Sequence, residues 1–171
     1  FLSDGRIAPA WSFLNMIREP RKVAEAIEQL DADLEPGEGT ENVIAVALYE
    51  GANPVKGLEI LLRTHGTCNT ITALDQHMHR LKPDEQRRAA GLLVQQLYDE
   101  LSASVRRDIE RREGSAPGGS LRELLSSHTG LLEGGNYHID VSHLHSVVRF
   151  ARVFQPGDPN LDAVRQLAEY G

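Results

Sequence analysis

Apolar residues recur at spacings of three and four along most of the chain, the pattern of helices with one buried face. Trp11, Leu14 and Ile17 follow Pro9, a residue suited to a first helical turn. Pro20 opens a second segment carrying Val23, Ile27, Leu30 and Leu34, and the run from Glu35 to Gly39 breaks it. Thr40 is then positioned to cap a helix bearing Val43, Val46 and Ala47, which ends near Glu50-Gly51. Asn53-Pro54 is a cap followed by a first-turn proline, ahead of Val55, Leu58, Leu61 and Leu62. His65-Gly66 supplies a stop, because glycine adopts the left-handed conformation that ends helices.

Ile71, Leu74, Met78 and Leu81 share one helical face, and Lys82-Pro83-Asp84 precedes the longest predicted helix. From Pro83 to near Arg112, Ala90, Leu93, Leu97, Leu101, Val105 and Ile109 form an apolar stripe, and Arg87, Asp99, Arg106 and Asp108 are assigned to the opposite face. The 114–119 run reads as a surface loop open to proteolysis, and Ser120 with Glu123 fits a capping box. Gly134-Gly135-Asn136 is a further break. Asp140 is positioned to cap a helix with Val141, Leu144, Val148 and Ala151, and Asp158-Pro159 opens one with Leu161, Val164 and Leu167. No stretch sustains the alternation of a half-buried strand. The pattern predicts an all-α chain of about eight or nine helices, and short connections make successive helices antiparallel hairpin partners.

Two stretches share a form. Cys68 to Leu74 leads past Pro83-Asp84-Glu85 into Ala89 to Val94, and Asp140 to Leu144 leads past Pro159 to Asp162 into Ala163 to Ala168. Each pairs a first helix with a second that opens on acidic residues. This resembles the tetratricopeptide and pentatricopeptide superfamily of helical hairpin repeats, whose period is about 34–35 residues. The resemblance implies stacked hairpins forming a superhelix. The pentatricopeptide branch also implies single-stranded RNA as a ligand. Charge argues against RNA: the formal net charge is −7, and lysine occurs only at positions 22, 56 and 82. Arg106, Arg107, Arg111 and Arg112 interleave with Asp108, Glu110 and Glu113, the pattern of a salt-bridged solvent face.

A length of 171 residues with 40% hydrophobic and 5% aromatic content fits a single domain, 1–171, with an aliphatic core. The longest apolar runs are too short to span a bilayer, so no membrane association and a cytoplasmic setting are expected. The chain starts at Phe1 without a methionine and is expected to be part of a longer protein. One cysteine excludes an internal disulfide.

Histidine carries most of the candidate chemistry. His138, Asp140 and His143 offer nitrogen and carboxylate donors suited to zinc or iron. Asp140 already has a sufficient role as a helix cap, and the structural reading leads. His77 and His79 are separated by one residue, which on a regular helix points them apart and favours surface positions. Cys68 lies at a predicted helix start, where thiol pKa falls, with His65, Asn69 and Asp75 near it in sequence. That placement is compatible with a Cys–His hydrolase, and a small buried apolar side chain is the leading reading of Cys68. No phosphate-binding loop is present. The leading functional expectation is a non-catalytic helical-repeat module that binds a protein or peptide partner without a cofactor. Its rival is an enzyme or metal-binding domain built on His138, Asp140, His143 or Cys68. RNA binding ranks third.

Overall fold

Proline, glycine and short polar caps set the helix boundaries. The structure, a computed structural model, describes residues 6–115, 118–132 and 138–171. Eight α-helices are described, with no strand among the described residues. They are α1 (Ile7–Met16), α2 (Arg21–Glu28), α3 (Glu38–Ile44), α4 (Pro54–His77), α5 (Pro83–Glu113), α6 (Leu121–Ser127), α7 (Val141–Phe150) and α8 (Leu161–Tyr170). The all-α expectation holds, and no described helix is long and apolar enough to cross a membrane. The predicted break at Gly134 to Asn136 lies outside the described residues, as do Ala116 and Pro117 of the predicted 114–119 loop.

Contact density divides the chain into two compact units, Phe1–Ala89 and Ala90–Gly171, with the boundary inside α5. In the first, α1 ends where Arg18 takes a left-handed backbone at φ 61°, the only such non-glycine among the described residues. The Arg18 N–H donates to Asn15 O at 3.1 Å and the Glu19 N–H to Leu14 O at 2.8 Å, which satisfies the last carbonyls of the helix. Because the chain leaves the helix there, Ile17 falls off the expected stripe. The buried face of α1 is Ile7, Ala10 and Trp11, and Ile17 is exposed.

Asn53 caps α4 as expected, its side-chain oxygen accepting the Lys56 N–H at 3.3 Å. Gly66, at φ 79° and ψ 177°, breaks α4 where a stop is predicted, and the chain resumes helical geometry at once. Thr40 is not a cap. The α3 helix starts earlier, at Glu38, and the buried Thr40 hydroxyl donates to Glu35 O at 2.6 Å. Beyond α3 the helix widens into a π turn, Ala45–Tyr49, in which the Glu50 N–H reaches Ala45 O at 3.0 Å. The π turn packs on α4 at Gly57, where a Cβ would lie 2.8 Å from Leu48 N. Val23, Ile27, Ile44, Ala47, Leu58, Ile60 and Leu74 form the core of this unit.

In the second unit, Leu93, Leu97, Leu101, Val105 and Ile109 of α5 are fully buried, as their spacing predicts. Ser120 and Glu123 close a reciprocal capping box on α6, and the Asp140 carboxylate accepts the Ser142 N–H at 2.7 Å to cap α7. The α7 and α8 helices pack on each other. The buried face of α7 is Leu144, Val147 and Phe150. Val148 and Ala151 lie at its edge, so the predicted stripe is rotated slightly.

Candidate functional site

The π turn delivers a half-exposed aromatic ring to the surface of the first unit. Tyr49, at the last position of the turn, is 49% exposed and lies 5.2 Å, centroid to centroid, from the His77 ring at a 48° tilt. A π turn inside a helix is uncommon and often marks a functional position. Tyr49 lines two cavities. One, of about 340 Å³, is bordered by Glu50, His77, Arg80, Lys82 and Glu85. The other, of about 280 Å³, is bordered by Glu41, Ile44, His65, Asn69 and Thr72. Tyr49 is the border the two cavities share, and the pair is the Tyr49 cleft.

The side chains around this cleft are anchored by local bonds. The Trp11 indole N–H donates to the Glu50 carboxylate, tying α1 to the end of the π turn. Glu85 accepts the Lys82 backbone N–H at 2.8 Å and lies 3.5 Å from its ammonium. Burial, followed by the charges of Arg80 and His79, holds the His77 imidazole below its ordinary pKa. His77 is half-buried and His79 exposed, so of the sequence-predicted pair only His79 is a surface residue.

His65 and Cys68 are not joined as base and nucleophile. His65 uses both ring nitrogens elsewhere, Nε2 with Glu41 at 2.9 Å and Nδ1 with the Thr64 hydroxyl at 2.7 Å. Cys68 is exposed rather than buried, and it does not border the cavity beside His65. The Asn69 side chain donates to the His65 carbonyl at 2.9 Å.

In the second unit, His138 and Asp140 have separate tasks, and His143 lies on the first turn of α7 that Asp140 caps. His138 turns inward, its Nε2 3.2 Å from Asp108 Oδ2 and its Nδ1 3.0 Å from the Tyr170 hydroxyl. That hydroxyl also accepts the His138 backbone N–H at 2.8 Å. A neutral imidazole that donates from Nε2 to the carboxylate and accepts at Nδ1 from the phenol satisfies these contacts. Asp140 is occupied as the α7 cap, and no group of three His, Cys, Asp or Glu among the described residues is placed to hold a metal ion. The use of the exposed Asp140 carboxylate as a helix cap and the inward turn of His138 are the physical reasons the three do not converge.

Asp108 departs from its predicted place on the polar face of α5. Its side chain is 8% exposed, the His138 side chain only 4%. Arg112 reaches Asp108 at 2.8 Å and Arg111 at 3.3 Å. The hydrogen bond from His138, and after it Arg112, holds the Asp108 carboxyl below its usual range. An Asp–His pair of this kind resembles the orienting half of a catalytic triad, but both His138 nitrogens are engaged, one by Asp108 and the other by the Tyr170 hydroxyl. Through His138, three positions before α7, and Tyr170, the last residue of α8, these bonds tie both segments to Asp108 of α5. Arg106 of the same stretch donates to Gly119 O at 2.6 Å, and Arg112 also donates to Gly130 O at 3.2 Å.

No family model, curated protein or solved structure matches the chain.

Proposed function

We propose that the protein is a non-catalytic interaction module, a helical-hairpin stack of the tetratricopeptide kind, that binds a peptide segment of a protein partner in the cleft around Tyr49. The observation that carries this reading is the half-exposed Tyr49 ring set between two cavities by a π turn. Tyrosine is among the residues that dominate partner binding, because it presents a large, stiff contact area with few rotatable bonds. Phe13, Met16 and Ile17 are also exposed in the same unit, Met16 by 79%, so the four large apolar residues exposed among the described residues all belong to Phe1–Ala89. Such concentration of apolar surface is a mark of binding faces. The engaged nitrogens of His65 and His138 support a binding role over a hydrolytic one.

The test is selection of displayed peptides on the purified protein, followed by solution affinity measurements. Selected peptides are expected to lose about 30-fold in affinity to Tyr49→Ala, the equivalent of about 2 kcal/mol at a hot spot, with the thermal melt unchanged. Peptides that bind Tyr49→Ala equally well contradict the reading. So does stoichiometric zinc or iron in the purified protein that is lost in His143→Ala.

A further inference from the structure

The larger of the two cavities beside Tyr49 is bordered by a guanidinium, Arg80, that no carboxylate among the described residues engages. Its bordering side chains include two acids, Glu50 and Glu85, and three cationic or protonatable groups, His77, Arg80 and Lys82. Both acids are already engaged, Glu50 by the Trp11 indole and Glu85 by Lys82. No carboxylate among the described residues pairs with Arg80. The 3-10 turn Met78–Arg80 sets Arg80 directly after His77 and His79, so three protonatable or charged groups fall within four positions. Their mutual repulsion adds to burial in disfavouring the His77 cation. Glu50 and Glu85 balance Arg80 and Lys82 in formal charge, but Lys82 pairs with Glu85 and Glu50 with the Trp11 indole, which leaves the Arg80 guanidinium to a ligand anion at a cavity of about 340 Å³ beside an aromatic ring.

We infer that this cavity is an oxyanion site, in which Arg80 and His77 take a carboxylate or phosphate group and Tyr49 takes the flat apolar group attached to it. Guanidinium suits either group, since its planar fork donates two parallel hydrogen bonds to an oxyanion. An imidazolium adds a third donor, and the tilted Tyr49–His77 pair provides an aromatic wall. This inference rests on the interaction-module reading and sharpens it: the partner segment presents an acidic or phosphorylated side chain beside an aromatic or branched one. Binding is linked to protonation. Because an anion favours the charged imidazole, His77 pKa rises on binding, and affinity increases as pH falls through the His77 titration. The charged groups that border the cavity with His77 are Glu50, Arg80, Lys82 and Glu85, and the exposed His79 lies on the adjoining 3-10 turn.

The probes are benzoate and phenyl phosphate, and the readout is the His77 imidazole resonance followed by NMR across pH 5 to 8. Benzoate keeps one charge over that range, so its pH dependence reports the protein alone, and phenyl phosphate shows whether a phosphate is preferred. Both are expected to raise the His77 titration midpoint, by about one pH unit at saturation, matching about tenfold tighter binding to the protonated form. Arg80→Gln, at an exposed position, is expected to abolish the shift with the melt unchanged, and Arg107→Gln in the other unit to leave it intact. A His77 midpoint that neither probe moves, or that moves equally in Arg80→Gln, overturns the anion site. Peptides that need Tyr49 but are indifferent to Arg80→Gln also overturn it, and leave the interaction module standing. Probe binding at His77 without any peptide capture supports the site and overturns the module.

Discussion

At Asp108 a carboxylate that looks like a solvent-face residue is instead enclosed by His138, Arg111 and Arg112. Its pKa is lowered chiefly by the His138 hydrogen bond and then by Arg112, so its ionised form favours the folded state. That contribution is fully present above about pH 4, the ordinary carboxylate value, and is lost as pH falls through the lowered folded value. Denaturant melts of Asp108→Asn against the unsubstituted protein are therefore expected to differ by a constant amount from pH 7 to about pH 5 and to converge in more acidic solution. A difference that grows on acidification contradicts the role given to this carboxylate. The residue was hidden because its partner is 30 positions away in the chain. Nothing in the alternation of Arg and Asp along α5 distinguishes a buried acid from a solvated one. Leu144 is the opposite case, legible from spacing alone and 1% exposed. Leu144→Ala is expected to cost about 2–5 kcal/mol. Asp140→Ala removes only a helix cap, so it is expected to cost less, and neither value is expected to change with a chelator. A chelator-sensitive Asp140→Ala effect would revive a metal site there.

Helix starts and stops were legible wherever one local residue decides them. Asn53, Gly66, the Ser120–Glu123 box and Asp140 all act over four positions or fewer, and each sits where its chemistry predicts. The π turn was not legible, because Val43, Val46 and Ala47 suit an α-helix equally well. What selects the wider turn is packing on α4, and Gly57 is the point of closest approach. This makes Gly57 an informative substitution. On helix propensity alone, Gly57→Ala should stabilise by about 1 kcal/mol. The added Cβ would instead meet Leu48 N at 2.8 Å and Leu48 Cβ at 2.9 Å, a backbone atom and the first side-chain carbon, neither of which can swing aside. Gly57→Ala is expected to destabilise by about 1–3 kcal/mol, read from denaturant midpoints. It should also weaken peptide capture, since Tyr49 is held by the same turn. A stabilised Gly57→Ala would show that the π turn yields easily.

At the scale of the whole chain, the all-α character was legible, and the candidate site was not. The sequence directs attention to His138, Asp140, His143 and Cys68, residues whose chemistry is conspicuous in one dimension. The cleft depends on where Tyr49 meets His77, and ring exposure has no signature in residue spacing. The signals that were present, two histidines beside Arg80 and an aromatic residue just before Glu50-Gly51, gain meaning only once the α3–α4 packing brings them together. The most direct measurement of the central claim is amide NMR of the protein titrated with a peptide selected on it. The account predicts that the perturbed amides cluster around Tyr49, Glu50, His77 and Arg80, with those near Asp108 and His138 unmoved. Perturbations centred on Asp108, His138 and Tyr170, with the Tyr49 cleft silent, would contradict it.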